Sequence, residues 1–400
     1  MVHTESDLLV VGAGISGLTL AHLAAARGVR TCVLESADRP GGCLWSHEFA
    51  APAPGFWVEL GAHTCFNSYG TLLEVLDGCG LTGEALKKRK ASYRMLAGGE
   101  LRSIFSRLHL PELLAALRHL PGTKKTGRSV REYYGRVLGE RNYADVFGPA
   151  FNAVICQSAD EFPAELLFRK KPRRKDVLRS FTMVGGLQRI ALEIVRRSAF
   201  ALETGVEVVS VRRDGGRWTA MAVDGITWSA DRAVIAVPPD TAAQLLTAHD
   251  DGLAAAVASI SMTDIESFAV VVPAGRIAQK PMAGVIAVDD DFYSAVSRDT
   301  VHDSRVRGFT FHFKPGRLDE DGKRACAARV LGISPDDIAA HAQRINRLPR
   351  LGVGHARVVA EIDLRLAGGA LGLTGNYFHG VSIEDCALRS AAELARLTVS

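Results

Sequence analysis

Hydrophobic residues along the chain form short unbroken runs, alternating runs and helically spaced sets, and these divide it into elements. Leu8–Val11 is an apolar run with the length of a buried strand. Glycines follow at once, then Leu18 to Arg27, rich in Ala and Leu and closed by Gly28, reads as a helix. A second strand runs from Arg30 to Leu34 and ends in Glu35. Further on, Pro111 to Leu120 reads as a helix, with Leu113, Leu117 and Leu120 on one face and Pro111 in its first turn. Residues 130–151 continue in helical style. Gln188–Arg197 reads as a helix, and the alternation over Ala201–Val211 reads as a strand. Asp214-Gly215-Gly216 signals a hairpin, followed by strands at Arg217–Ala222, Ile226–Ser229 and Ala233–Val237, the last stopping at Pro238-Pro239. Strands at Phe268–Val272 and Gly308–Phe313, a helix after Ser334 and a last helix reaching Leu397 complete the pattern. No run approaches the ~18 apolar residues of a membrane-crossing helix.

Strand, glycine turn, helix, strand at one end and strands leading into a helix at the other predict an α/β fold. We expect a discontinuous Rossmann-type nucleotide-binding domain from 1–80, 181–245 and 346–400. It is interrupted by a mainly helical subdomain at 81–180 and an α+β substrate domain at 246–345. A length of 400 residues fits two domains or one with insertions.

The turn after the first strand is Gly12-Ala13-Gly14-Ile15-Ser16-Gly17. Gly12 permits the tight turn, Gly14 lets backbone approach a pyrophosphate, and Gly17 lets helix pack on strand. The helix start offers N–H groups and a positive dipole end to phosphates. Glu35 lies where a ribose-binding acid belongs. Gly185-Gly186 before a helix is a second ligand-facing turn. A third glycine-rich loop, Gly375-Asn376-Tyr377-Phe378-His379-Gly380-Val381-Ser382-Ile383, enters the last helix near Ser382.

Beyond Glu35, the extension Arg39-Pro40-Gly41-Gly42 resembles the FAD-dependent amine oxidases, desaturases and protoporphyrinogen oxidases. In that family the second glycine pair lies along the FAD diphosphate and ribityl chain. Gly61-Ala62-His63 resembles the family's loop near the flavin, and by resemblance the backbone of Val206 pairs with the adenine. Cys43 departs from the basic residue that many members carry. A Gly354-His355 element paired with Gly375-Asn376-Tyr377 and Gly380-Val381-Ser382-Ile383-Glu384-Asp385-Cys386 looks like protoporphyrinogen oxidase. The resemblance implies FAD as cofactor and Val381, Ser382 and Ile383 beside the flavin. It also implies removal of hydride from a porphyrinogen in repeated cycles, with oxygen reoxidising the flavin. The family's Ser-Gly early in the last helix is absent; Arg389-Ser390-Ala391 stands there. Two alternatives stay open: an amine oxidase or dehydrogenase of a specialised metabolite, and a non-catalytic FAD-binding protein.

Composition changes this picture in two places. Net charge is only +4, yet residues 87–175 hold 20 Lys and Arg against 8 Asp and Glu. Within them, Arg169-Lys170-Lys171-Pro172-Arg173-Arg174-Lys175 has readings as a solvated loop, as contact with an anionic membrane surface together with residues 100–120, and as an attractor of a carboxylate-bearing small-molecule substrate. Aromatic interleaving is missing, which argues against nucleic acid. Seven cysteines without a CxxC or zinc-like His/Cys spacing indicate a reduced, cytoplasmic protein with no metal site, the membrane reading placing it at the inner face. No nucleophile triad is legible. His63, His379 and Tyr377 are the candidates for catalytic groups near the flavin, and His355 reads as structural.

Overall fold

In the computed structural model, which describes residues 5–399, Leu8–Val11 lies in the strand Glu5–Val11 and is almost wholly shielded from solvent. The run is continuous because both faces are covered. Leu9 and Val11 join a core cluster with Val211, Ala233 and Ile235, while Leu8 and Val10 join another with Leu18, Ala21 and Ile190. Each fully buried side chain of this size contributes about 1.5–3 kcal/mol.

The strand sits mid-sheet, in the order Ala201–Thr204, Thr31–Glu35, Glu5–Val11, Thr227–Ile235, Arg217–Ala222, Val208–Asp214. Leu371–Leu373 pairs in parallel with the far end of Thr227–Ile235. Five of the strands are parallel and end together at Thr204, Glu35, Val11, Ile235 and Leu373. That edge is where doubly wound sheets bind ligands. The helices Ile15–Ala25 and Ile383–Val399 pack side by side against this sheet.

A second sheet runs in the order Ala340–Pro349, Met262–Pro273, Val306–Phe313, Phe292–Ser297, Gly284–Ala287, Tyr93–Ala97, Glu100–Ser103. One face carries Phe268, Phe309, Phe311 and Phe313 and packs on the helix Glu320–Leu331. Ala269 and Val271, on the other face, pack on the hairpin Ser46–Phe49/Phe56–Glu59.

Several elements differ from expectation. Apart from one 3-10 turn at Thr82–Glu84, residues 81–180 are helical only from residue 104 onward: Ala85–Lys87, Tyr93–Ala97 and Glu100–Ser103 are strands. Tyr93–Ala97 is a strand because it finds a parallel partner in Gly284–Ala287, a pairing between distant segments that no local pattern announces. The helix expected after Ser334 is one 3-10 turn, Pro335–Asp337, closed by a Ser334/Asp337 capping box. The chain then becomes the strand Ala340–Pro349, which pairs along its whole length with Met262–Pro273. Residues 346–349 therefore belong to the second sheet, not to the nucleotide domain. The expected strand Ala201–Val211 is broken at Gly205 into Ala201–Thr204 and Val208–Asp214.

Candidate functional site

A cavity of about 1280 Å³ opens at the carboxyl edge of the first sheet and runs under the second. A single drug-sized ligand occupies about 300–1,000 Å³, so this space suits a large ligand with a second molecule beside it. Gly12, Gly14, Ile15 and Ser16 line it at the first turn, with Glu35 and Gly42 beside them. Gly61, Ala62 and His63 line a second stretch, Val206 a third, and Gly375, Asn376, Val381, Ser382 and Ile383 a fourth. Segments from both ends and the middle of the chain thus converge on one space.

Seven candidates stand outside the lining, among them Gly185 and Gly186, expected to face a ligand; Gly186 instead packs against Ser46 and Trp57. Gly17 and Gly41 support the turn from behind. Arg39 lies over the Trp45 ring, its guanidinium carbon 3.0 Å from the centroid, and Arg344 lies 3.8 Å from the same ring. Burial, and for Arg39 the neighbouring Arg344 charge, lowers both guanidinium pKa values, Arg39 to about 10. Tyr377 is fully buried in the core, and its carbonyl accepts a 2.7 Å hydrogen bond from His355. His379 gives its carbonyl to Arg169. Of the three catalytic candidates, only His63 reaches the cavity. His355, read as structural, is buried outside the lining.

The cradle is built from backbone. Gly14 is the N-cap of the helix Ile15–Ala25 and no side chain caps that helix, so its first-turn N–H groups are free to face a ligand. Glu35 holds the turn: its carboxylate accepts from Ala13 N at 2.7 Å and Ala37 N at 3.0 Å. The amide of Val206 donates to the Glu35 carbonyl at 2.9 Å, which leaves the Val206 carbonyl for any adenine contact. The 60–62 loop is pinned by Leu60 N to Trp45 O at 2.8 Å and Ala62 N to Cys43 O at 3.1 Å. A Cβ at Gly61 would stand 2.0 Å from the Cys43 carbonyl, so only glycine permits this approach. At the last helix, Ser382 and Asp385 cap each other, with Ser382 Oγ donating to Asp385 at 2.5 Å and Asp385 N to Ser382 Oγ at 3.2 Å.

The basic segment folds inward in part. Arg169 and Lys171 line the cavity and pair with the buried Asp385 at 3.0 and 2.8 Å. Arg174 pairs with Asp176 and Asp77. Lys170, Arg173 and Lys175 remain exposed. The sequence reading did not single out Ser267, Ser294, His312 and Asn346, which line the cavity from the second sheet. A signal was present: in Phe309-Thr310-Phe311-His312-Phe313 the phenylalanines take one face, so Thr310 and His312 must share the other.

Enclosed titratable groups make the protein acid-sensitive. Burial, helped by the Lys88 charge, pushes the His63 imidazole down to about 3, and burial pushes His312 down to about 4. An unfolded histidine titrates near ~6.5. Below that pH the unfolded chain binds protons at these two positions that the folded chain refuses, and stability falls; burial lowers His22, His47, His355 and His379 in the same direction and adds to the fall. Glu59 acts the other way: burial pushes its carboxyl up to about 7, so from there down to ~4.5 the folded chain holds an extra proton. We expect a loss of stability from pH ~6.5 that Glu59 offsets in part down to ~4.5, and that steepens from there until about pH 4, where His312 takes its proton in the folded chain as well, read from urea unfolding. The His312→Gln variant should flatten the curve; an unaltered curve would contradict this assignment.

A dinucleotide-type turn, a glycine-lined cavity at the sheet edge and a second sheet roofing it fit an oxidoreductase that binds a dinucleotide cofactor, and the family match makes that class flavin-dependent. The sequence pattern of the flavin-containing amine oxidoreductases matches residues 15–273, and the chain belongs to that family. A coproporphyrinogen III oxidase of Mycobacterium tuberculosis is 24% identical over 444 residues, spanning 96% of this chain and 95% of that one. A putrescine oxidase of Kocuria rosea is 38% identical over 77 residues, 19% of this chain and 15% of that one. A provisionally assigned protoporphyrinogen oxidase structure from Exiguobacterium sp. 255-15 superposes with a TM-score of 0.81 at 15% identity, covering 100% of this chain and 99% of that one.

Proposed function

We propose that this protein is an FAD-dependent oxidase that dehydrogenates a porphyrinogen, protoporphyrinogen or coproporphyrinogen, with oxygen as electron acceptor. The observation that carries the reading is the end-to-end sequence likeness to a coproporphyrinogen III oxidase, against a sequence likeness to putrescine oxidase confined to one short stretch; the fold alone does not separate them, since a putrescine oxidase structure also superposes over the whole chain with a TM-score of 0.74. A bound flavin supplies the hydride acceptor. The chain's part is to hold, orient and exclude water. Gly12, Gly14, Ile15, Ser16 and Gly42 offer backbone to the diphosphate, and Glu35 offers its carboxylate to ribose hydroxyls. The Val206 carbonyl would meet the adenine; Gly61–His63, Gly375, Asn376 and Val381–Ile383 would surround the flavin ring. Arg169 and Lys171 place positive charge on the cavity wall, which suits a substrate bearing propionate carboxylates. The test is porphyrin fluorescence after adding protoporphyrinogen or coproporphyrinogen to the flavin-loaded protein. A yellow protein that stays silent with both, yet releases peroxide with putrescine, would establish the amine oxidase reading instead.

We also propose that the cavity mouth rests on an anionic lipid surface. Phe105, Leu110, Leu114, Leu117 and Leu120 are exposed around one short helical segment, and Phe168 and Val154 are exposed on the cavity lining. The exposed Arg118, Lys124, Lys170, Arg173 and Lys175 add positive charge in the flanking segments. Among the described residues no helix is long and apolar enough to cross a membrane. Vesicles containing phosphatidylserine should co-sediment the protein, and Leu114→Asp with Leu117→Asp should cut binding by at least about thirtyfold, given ~1–2 kcal/mol per leucine. Equal sedimentation of both proteins would refute the contact.

A further inference from the structure

The second sheet carries a polar row on the face that roofs the cavity. Ser294, His312, Ser267 and Arg344 stand directly opposite one another on four adjacent strands, so their side chains share one face. Asn346, two residues from Arg344 on the same strand, is on that face too. The opposite face of the sheet is phenylalanine. Polar residues here sit in an otherwise apolar layer, and each is costly unless it has a hydrogen-bond partner.

The protein supplies only some of the partners, and those it supplies have a direction. Asn346 Nδ2 donates to the Leu60 carbonyl at 2.7 Å and to Ser267 Oγ at 3.0 Å. The Leu60 carbonyl can only accept, which fixes the orientation of the Asn346 amide. Ser267 therefore accepts from Asn346 and has its own proton to give. Its partner is His312 Nδ1 at 3.2 Å. His312 is buried and neutral at physiological pH, since burial lowers its pKa to about 4. With Nδ1 accepting, the ring proton must be on Nε2. Among the described residues His312 Nε2 has no partner, and neither do Ser294 Oγ beside it and Asn346 Oδ1. The chain Leu60, Asn346, Ser267, His312 thus ends in a fixed N–H donor with nothing to donate to. It begins at Leu60, next to the Gly61–His63 loop on the floor of the same cavity.

We propose that this row is a ligand-recognition site: His312 Nε2–H, flanked by the Ser294 hydroxyl, donates to a hydrogen-bond acceptor held between the second sheet and the 60–63 loop. The acceptor is a carbonyl, imine nitrogen or carboxylate, and two molecules can bring one: the polar edge of the flavin, or the substrate. The flavin arm rests on the family assignment alone, whereas the substrate arm rests on the porphyrinogen reading. Asn346 and Ser267 are positioning residues, acting through His312.

The experiment uses the flavin-loaded protein and its His312→Leu, His312→Gln and Ser267→Ala variants. It reads the flavin midpoint potential and visible spectrum, the FAD dissociation constant, and the dissociation constant of coproporphyrin III, a tetracarboxylate probe. If the acceptor is the flavin, His312→Leu should shift the ratio of reduced to oxidised flavin about tenfold, a fall of about 30 mV for a two-electron couple. His312→Gln, which keeps an N–H donor, should restore most of it, and Ser267→Ala should fall between. If the acceptor is the substrate, the potential should stay native, while coproporphyrin III binding weakens about tenfold in His312→Leu and recovers in His312→Gln. If His312→Leu does not fold, the Ser267→Ala and His312→Gln pair still carries the comparison. Folded, flavin-loaded variants that shift none of these quantities overturn the proposal. A native protein that ignores coproporphyrin III while His312→Leu moves the potential overturns the porphyrinogen reading and supports this one.

Discussion

Gly14→Ala should leave the protein folded and strip it of its flavin, whereas Gly17→Ala should destroy the fold around the same turn. The two glycines are three residues apart and differ in what a methyl group would meet. At Gly17 a Cβ would lie 2.0 Å from the Gly12 carbonyl oxygen, and the next contact is Ala236 at 3.3 Å. The obstructing atom is backbone of the turn itself, so no side chain can move aside. The first helix would have to shift off the sheet that buries Leu18 and Ala21, and we expect a loss of ~3 kcal/mol or more. At Gly14 a Cβ would meet none of the described residues within 4 Å. Its φ of −70° and ψ of 175° are open to alanine, so the cost to stability should stay within ~1 kcal/mol. The added methyl would instead stand at the cavity wall, where the proposed cofactor placement brings backbone against a phosphate. We expect FAD affinity to fall at least about 100-fold, or ~2.7 kcal/mol. Thermal melting of the apoproteins and FAD titration separate the two effects. Native FAD affinity in Gly14→Ala would remove the cofactor from this turn.

That contrast also explains which parts of the molecule were legible in the sequence. The first turn is a local object. Its strand, glycines, helix and acid lie within Leu8–Glu35, and each is recognisable by what its own neighbours demand. The same holds for the helix Gln188–Arg197, which the structure places where the sequence predicts it. The second sheet is not local. Tyr93–Ala97 takes its partner from Gly284–Ala287, and without that partner its residues carry no decisive pattern. The helix Glu320–Leu331 escaped notice because Gly322 and a charged first turn disguise its buried Ala327, Ala328 and Leu331. The site shows the same division. Glycines announced the cavity, since their spacing answers to backbone geometry. Tyr377 and His379 occupy the right loop, but their side chains miss the cavity, because loop membership does not fix side-chain direction. His312 is aimed by strand alternation and by its partner Ser267, itself held by Asn346, both of which lie far away in sequence. The basic run at 169–175 was visible as charge, yet its inward turn depends on Asp385, more than 200 residues on.

Removing that carboxylate should release the segment. Asp385 holds four groups at once: Arg169 Nη2 at 3.0 Å, Lys171 Nζ at 2.8 Å, and the Ser382 amide and hydroxyl at 3.3 and 2.5 Å. Its side chain is 8% exposed, against 36% for Arg169 and 19% for Lys171. In Asp385→Ala two cations face each other with no counter-charge, and the last helix loses its reciprocal cap. Breaking a fully buried pair costs ~3–5 kcal/mol. Solvent reaches Arg169 and screens part of that here, so ~2–3 kcal/mol is the expected loss. Asp385→Asn keeps a side chain able to bond Ser382 but removes the charge, and should lie midway. The cations would then swing toward water, taking with them part of the cavity wall. Trypsin, which cuts after Lys and Arg, reports this directly: cleavage within 169–175 should rise about tenfold or more in Asp385→Ala and less in Asp385→Asn. Raising the salt concentration should narrow the difference in stability between native protein and Asp385→Asn, because screening weakens only the charge contribution that this pair of proteins isolates. Cleavage at the native rate in Asp385→Ala would show that the segment is held by its packing, and that Asp385 serves the helix cap alone.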